Sequence, residues 1–267
     1  MKLILNYIFR LNSFKNFNTF LAKKLIKFSK IFFVETNLTY LPKQNHPIQL
    51  NLDNELKKII KYNKKLTHQP FISYSHLLDL LEVYSNSKRK IRLLDYGAGN
   101  LELFFYLRKK LNSFTYYYYD QDQYLELAKT IKKKFRLNNL IINKKNKKNK
   151  IDFVYFGSVV QYIKDYKNEI SFFFKKTKYI IISQTPFYYS KNKQSHIIVK
   201  QINLFPTINY MYLINIDLFI KFMKKNNYIL VSKTINKVIK FLNFKNFDNS
   251  YKNLQMYDLV FKYYEKK

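Results

Sequence analysis

Short apolar segments alternate with longer helical segments between residues 91 and 183, and this alternation constrains the fold more than any other feature of the sequence. The apolar segments have the length and the β-branched and aromatic residues of buried strands. They are Ile91–Tyr96, Phe114–Tyr119, Leu140–Ile142, Ile151–Phe156 and Tyr179–Ser183. The helical segments between them are Asn100–Leu111, Tyr124–Leu137 and Tyr166–Lys175. Strands and helices that alternate at these lengths predict a doubly wound α/β sheet that is mostly parallel.

The flanking segments complete a predicted domain of residues 51–267. Two helical segments, at 52–66 and 73–84, precede the first strand. Beyond residue 187 the sequence predicts an irregular stretch as far as Tyr212, and after it a helix at Asp217–Asn226. The terminal strands are predicted at Tyr228–Lys233 and Met256–Tyr263. The sequence therefore predicts a Rossmann-like sheet of seven strands, closed by a strand pair near the C-terminus.

Residues 1–50 are predicted as an N-terminal helical extension and linker. The first 34 residues mix Lys with Phe, Leu and Ile, and Pro42 and Pro47 mark the linker. Two interpretations of the helical part are open: it packs on the main domain, or it lies on a membrane surface as a basic amphipathic helix. No run of about 18 apolar residues occurs, so no transmembrane helix is predicted.

The chain contains only three glycines, and all three map to one predicted edge of the sheet. Gly97 and Gly99 follow the first predicted strand, and Gly157 follows the fourth. Glycine tolerates positive φ and lets a ligand approach the backbone closely. Because ligands of such sheets bind at the carboxyl ends of the strands, the glycines predict a ligand pocket at this edge.

Carboxylates beside the glycine turn indicate a phosphate-free nucleoside. Asp95 lies two residues before Gly97, and Asp120 lies 25 positions after Asp95, at the end of the second strand. A carboxylate there can accept hydrogen bonds from both hydroxyls of a ribose. Glu102 stands where a dinucleotide-binding turn has its third glycine, and its charge would repel a pyrophosphate. S-adenosylmethionine (SAM) carries two cationic groups and no phosphate, so the sequence favours SAM over a dinucleotide.

Several segments resemble known methyltransferases. LLDYGAGNLELFFYL and YYYYDQDQY resemble the first and second motifs of class I SAM-dependent methyltransferases. FGSVVQYIKDY, YIIISQTPF, VKQINLFP and NYILVSK resemble a family of bacterial methyltransferases often encoded beside surface-polysaccharide genes. The resemblance runs from about residue 70 to 235. It implies a SAM cofactor and a small-molecule or glycan acceptor, with methylation expected on oxygen.

The resemblance also implies roles for individual residues. The cofactor site that it implies consists of Asp95, Gly97, Ala98, Gly99, Asp120, Gln121, Gly157 and Ser158. Within this site, Asp95 and the glycine turn would cradle the methionine portion, Asp120 would bind the ribose, and Gly157 and Ser158 would line the floor near the methyl group. The acceptor-side residues that it implies are Gln161, Tyr162, Gln184, Thr185 and Gln201.

The chain departs from the family pattern at two positions. Gln184 replaces an arginine before Thr185, which puts any inherited contact with an anionic acceptor in doubt. Leu101 stands where a third glycine is common.

The catalytic group of the chain is not assigned by its motifs. Positioning supplies much of the rate of methyl transfer, and a hydroxyl acceptor also benefits from a general base. His196 is the only histidine after the cofactor motifs and lies in the predicted irregular stretch, so it is the candidate base. The N-P-P-Y type of signature is absent, and FGSVVQY stands in its place, which argues against methylation of base amines or glutamine.

Composition bounds the partners. With no cysteine and four scattered histidines, the chain offers no metal-binding pattern, so no metal is expected. The net charge of +32 reflects either an anionic partner, such as RNA or an anionic membrane, or the A/T-rich codons that encode Lys, Asn, Ile, Phe and Tyr. Nucleic acid is the less favoured partner.

An RNA methyltransferase and a non-catalytic binding protein on this fold remain the alternative functions. The expected location is the cytoplasm, with the inner membrane surface as the alternative.

Overall fold

A computed structural model describes ten stretches of the chain. These are residues 32–35, 38–42, 54–57, 59, 75–85, 90–142, 151–190, 194–201, 208–236 and 254–265. The predicted loop at 143–150, residues 1–31 and most of the predicted linker lie outside the described residues.

Ten described strands form one sheet. They are β1 (Phe32–Glu35), β2 (Ile91–Tyr96), β3 (Phe114–Tyr119), β4 (Leu140–Ile142), β5 (Ile151–Gly157), β6 (Thr177–Tyr188), β7 (His196–Gln201), β8 (Asn209–Asn215), β9 (Tyr228–Ile235) and β10 (Gln255–Tyr263). Their order is β1-β7-β8-β6-β5-β2-β3-β4, and β10 pairs with both β6 and β9. Strands β2 to β6 are mutually parallel, whereas β10 is antiparallel to β6 and β9.

Helices cover both faces of this sheet. They are α1 (Ser75–Ser85), α2 (Glu102–Lys110), α3 (Asp122–Phe135), α4 (Tyr166–Ser171) and α5 (Ile216–Lys225), with a 3-10 helix at Val160–Tyr162. Helices α1, α2 and α3 contribute to one buried apolar cluster, and α4 and α5 contribute to the other. The two clusters on opposite faces confirm the predicted doubly wound, mostly parallel α/β architecture.

The prediction of an irregular stretch between residues 187 and 212 is wrong for most of the residues that the structure describes there, because these belong to β6, β7 and β8. Strand β6 continues to Tyr188, because β10 pairs with it as far as Phe187. Strands β7 and β8 then form an antiparallel pair, and β8 joins the sheet through Phe187 and Tyr188. The sheet therefore has ten described strands where the sequence predicts seven.

The N-terminal region differs from its prediction where it is described. Phe32–Glu35 is a strand that pairs with β7, whereas the sequence predicts helix there. Leu41, in the predicted linker, is 3% exposed, and its backbone N–H donates to the Tyr212 hydroxyl at 3.1 Å. Within the part of the chain that the structure describes, no helix is long and apolar enough to span a bilayer.

Candidate active site

The glycine turn after β2 requires glycine for two different reasons. Gly97 has φ of +77°, and a Cβ placed on it would lie 2.6 Å from Cγ2 of Val159. Gly99 has φ of +54° but open space around it, so its requirement is conformational. The Gly97 N–H donates to the Tyr119 carbonyl at 2.8 Å, which holds the turn against the end of β3.

The backbone at Leu101 adopts a conformation that favours glycine, which accounts for the glycine that is common at this position in the family pattern. Its φ is +64° and ψ is +19°, in the left-handed region, just before α2 begins. A leucine pays a conformational penalty there, and its side chain is fully buried in the cluster under α2. Burial of that side chain offsets the backbone strain.

Asp120 joins the glycine turn to the end of β3. One carboxylate oxygen accepts from the Gly99 N–H at 2.6 Å, and the other accepts from the Gln121 N–H at 2.7 Å. Burial raises the pKa of Asp120, and these two hydrogen bonds oppose the increase. Each oxygen keeps a lone pair for a ligand hydroxyl.

Asp95 lies beneath the turn. It is 3% exposed and accepts a hydrogen bond from the Tyr116 hydroxyl. Desolvation raises the pKa of Asp95 to about 7, although the Tyr116 hydrogen bond lowers it, and the charge of Asp120 adds to the increase. The side chain is therefore fixed by Tyr116 of β3, and a cation nearby would favour its ionised form.

A cavity of about 270 Å³ opens above this turn. Its described walls are Tyr96, Gly97, Tyr119, Asp120, Gln121, Val159, Tyr162 and Ile163. Gly97, Asp120, Gln121 and Tyr162 are sequence-predicted site residues, whereas Asp95, Ala98, Gly99, Gly157 and Ser158 do not line the cavity. Although the chain has 49 Lys and Arg residues, neither type occurs among these walls.

Sequence reasoning missed Tyr96, Tyr119, Val159 and Ile163. Tyr96 and Tyr119 end neighbouring parallel strands, and their ring centroids are 4.6 Å apart. The Tyr96 hydroxyl donates to Glu169 of α4 at 2.8 Å, which fixes the ring as a wall. Their positions in the sequence could have identified both tyrosines, because Tyr96 directly precedes Gly97 and Tyr119 directly precedes Asp120.

Four of the five acceptor-side residues implied by the resemblance fall into two hydrogen-bonded groups. Gln161 donates to the Ser158 hydroxyl at 3.2 Å and accepts from the Thr185 hydroxyl at 3.4 Å. Tyr162 donates to the Gln201 side-chain oxygen at 3.3 Å. Adjacent residues of the 3-10 helix thus connect β5, β6 and β7, and Tyr162 also reaches the cavity.

Gln184 belongs to a different arrangement, at a register shift between β6 and β10. Its φ is +50°, and its backbone N–H donates to Asp258 at 2.8 Å. Asp258 is 5% exposed and also accepts from the Ser183 hydroxyl at 2.6 Å and from Asn236 at 2.9 Å. Nothing in the sequence pattern indicated Asp258.

His196 does not line the cavity. It begins β7, and its ring packs against Tyr212, with centroids 4.1 Å apart. Its Nδ1 lies 3.1 Å from the Ser195 hydroxyl. Burial lowers the pKa of His196, a backbone hydrogen bond with Thr39 raises it, and the charge of Lys167 lowers it. Gln201, near the cavity, is five residues further along β7, about 17 Å in an extended strand.

No protein-family model and no curated protein matches the sequence. Solved structures do match. An S-adenosylmethionine-dependent methyltransferase from Clostridium acetobutylicum matches with a TM-score of 0.51 and 13% identity, over 80% of this chain and 100% of that chain. The N-terminal domain of EvdMO1 with S-adenosylhomocysteine (SAH) bound matches with a TM-score of 0.50 and 11% identity, over 78% of this chain and 97% of that chain.

The chain has the Rossmann-like fold of these methyltransferases. All seven predicted strands are present in the sheet, and the strand pair β9 and β10 follows the five parallel strands β2 to β6 along the chain. The carboxyl edge of β2, β3 and β5, where ligands bind such sheets, is the edge that carries the cavity.

Proposed function

We propose that the chain is a SAM-dependent methyltransferase that acts on a hydroxyl group of a small-molecule or glycan acceptor. The observation that carries the proposal is the chemistry of the cavity at the carboxyl edge. Its walls combine a glycine turn, a ribose-competent carboxylate and aromatic rings, and its described lining has no basic side chain. A pyrophosphate would be repelled by Asp120 and by Glu102 in the first turn of α2, whereas SAM carries cationic groups and no phosphate.

The residues present fit SAM in a specific arrangement. Asp120, already held by two backbone N–H groups, presents its free lone pairs to the ribose hydroxyls. Ala98 and Gly99 keep the turn open, and Gln121 adjoins the adenosine. Asp95 supplies negative charge from below without touching the ligand, because it is buried under the turn. Val159, rather than Gly157 or Ser158, contacts the turn and forms the floor.

Amides and hydroxyls define the acceptor side. Tyr162 lines the cavity and can hydrogen-bond a hydroxyl group, whereas Gln161, Thr185 and Gln201 are buried behind it in hydrogen bonds of their own, and none of the four carries a charge. The lack of charge on these four side chains, together with Gln184 in place of arginine, favours a neutral acceptor over an anionic one. The sequence resemblance to methyltransferases encoded beside surface-polysaccharide genes supports a glycan precursor as the acceptor.

In the proposed reaction the protein accelerates methyl transfer mainly by positioning the acceptor oxygen against the methyl carbon. Bound SAM supplies a methyl carbon that its sulfonium already activates for in-line displacement. Burial raises the pKa of Tyr162, and its contacts with Gln161 and Gln201 oppose the increase, so this hydroxyl stays protonated near neutral pH and acts as a hydrogen-bond donor. It orients the acceptor oxygen and does not remove its proton, which passes to solvent water as the oxygen takes the methyl group and SAH is left. His196 is too far along β7 to serve as the base in this arrangement.

The cofactor proposal is tested by unfolding in the presence of SAH. At a concentration about a hundred times its Kd, SAH should raise the free energy of unfolding by about 2.7 kcal/mol. NAD⁺ at the same concentration should leave it unchanged, because Asp120 and Glu102 would repel its diphosphate. Stabilisation by NAD⁺ and not by SAH would contradict the proposal.

The acceptor proposal is tested with Tyr162→Phe. Transfer of labelled methyl groups from SAM to a panel of neutral sugars should fall about fivefold in kcat/KM, the effect of a hydrogen bond worth about 1 kcal/mol. The ring remains as a cavity wall, so SAH affinity should stay within about twofold. Tyr264→Phe, at an exposed tyrosine, is the matched control. Full SAH binding without transfer to any acceptor would favour the non-catalytic alternative.

A further inference from the structure

A second and larger cavity, of about 660 Å³, lies at the opposite edge of the sheet. The first residues of β2, β5 and β6 and the end of β10 form its walls, together with the turn before β6. Since β2 has six residues, this edge lies about 20 Å from the glycine turn. The cavity is therefore separate from the candidate active site.

The lining of this cavity is basic, in contrast to that of the first. Its cations are Lys90, Arg92, Lys175, Lys176 and Lys178. Arg92 is neutralised by Asp152, to which its Nε and Nη2 each donate at 3.0 Å. Among the described residues no ion pair involves the four lysines, and Glu265 is the other carboxylate in the wall. The cavity thus has an excess of about three positive charges, counted as four lysines against Glu265.

A buried hydroxyl lies among these lysines. Thr177 belongs to the cavity wall and is 3% exposed, and its Oγ1 has no hydrogen-bond partner. A buried hydroxyl without a partner is costly, and a ligand oxygen that reaches the Thr177 side chain from the cavity would satisfy it. This observation is independent of the charge.

Aromatic rings hold two of the ammonium groups in place. Nζ of Lys176 lies 4.1 Å from the Phe172 ring centroid, and Nζ of Lys178 lies 5.1 Å from that of Tyr84. A lysine that already rests on a ring has little conformational freedom left to lose, so the entropic cost of binding an anion is smaller.

We propose that this cavity binds a compact phosphate-bearing anion, such as the diphosphate group of a small molecule. Phosphoryl oxygens match both the lysines and the Thr177 hydroxyl, because they accept several hydrogen bonds and carry negative charge. A concave site of this volume is typical of small ligands, whereas a nucleic acid would need an extended surface.

Calorimetric binding of inorganic pyrophosphate to the full chain tests the proposal. Lys176→Glu with Lys178→Glu should weaken binding by at least about tenfold, since two charged partners are lost. The matched control is Lys133→Glu with Lys134→Glu, which makes the same change in net charge on exposed lysines of α3, and should change the affinity by less than about twofold. Thr177→Val should weaken binding about tenfold and leave the free energy of unfolding unchanged or higher.

Equal weakening in the two double variants would overturn the proposal, because the effect would then be one of net charge. Unchanged affinity in Thr177→Val would also overturn it. Binding of a single-stranded RNA oligonucleotide, lost in Lys176→Glu with Lys178→Glu, without binding of pyrophosphate would replace it with a nucleic-acid surface. SAH binding should be the same in all these variants, so the result is separate from that for the cofactor.

Discussion

At the scale of single residues, the candidate site depends on carboxylates held away from water. Asp95 is the extreme case, because it is buried beneath the glycine turn with Tyr116 as its hydrogen-bond donor. Burial also raises the pKa of Glu102 and Asp120. Three acids with raised pKa values around one turn favour a cationic ligand, which lowers the cost of ionising them.

Asp95 should make the stability of the protein depend on pH. Its pKa rises from 3.8 in the unfolded chain to about 7 in the folded protein, so its contribution is fully present below about pH 4 and is lost as the pH rises through about 7. The loss is on the order of 4 kcal/mol. Asp95→Asn keeps an oxygen that accepts from Tyr116, and should flatten the urea-unfolding free energy between pH 5 and pH 8. Parallel pH profiles for the variant and the wild type would show that Asp95 is ionised throughout.

At the scale of elements, the sequence predicted the bounds of β2, β3 and β4 and did not predict β1, β7 and β8, which extend the sheet beyond β6. Ile91–Tyr96 and Phe114–Tyr119 have the predicted bounds, because both faces of these strands are covered and their sequence is mostly apolar. Strand β7 contains Ile197, Ile198 and Val199, which favour a strand, but His196 and Lys200 interrupt the apolar pattern. Lys200 is nonetheless 1% exposed, and its burial depends on neighbours that no local pattern specifies.

The joint between β6 and β10 should depend on Asp258. Asp258→Ala removes the acceptor for the Ser183 hydroxyl, the Gln184 N–H and Asn236, and leaves these donors buried. The free energy of unfolding in urea should fall by about 3 kcal/mol. Asp217→Ala, at an exposed acid in the first turn of α5, is the matched control and should cost less than about 1 kcal/mol. A similar small loss in both variants would mean that Asp258 has no special role in the joint.

At the scale of the whole molecule, the fold separates two cavities of opposite character. The one at the carboxyl edge has no basic side chain in its described walls, and the one at the amino edge has five. The sequence predicted the first because glycines and acids lie at strand ends. It could not predict the second, since Lys90 lies 85 positions before Lys175 and only the parallel pairing of β2, β5 and β6 brings them together.

The division of the chain at residue 50 stays a prediction. Strand β1 precedes that boundary, yet it pairs with β7 at the edge of the sheet. Strands β1, β7 and β8 extend the predicted seven-stranded sheet at one side. Peripheral membrane contact likewise stays a prediction, since it concerns residues before Phe32.

Calorimetric titration of SAH into the protein tests the central claim most directly, because three separate segments, around Gly97, Asp120 and Val159, must meet to form the site. The wild type should bind one SAH per chain. Asp120→Ala should weaken this binding by at least about tenfold, since it removes hydrogen bonds to a charged group. Asp122→Ala, at the exposed acid two residues later, should stay within about twofold. Equal affinity in wild type and Asp120→Ala, or no binding of SAH to the folded wild type, would contradict the account.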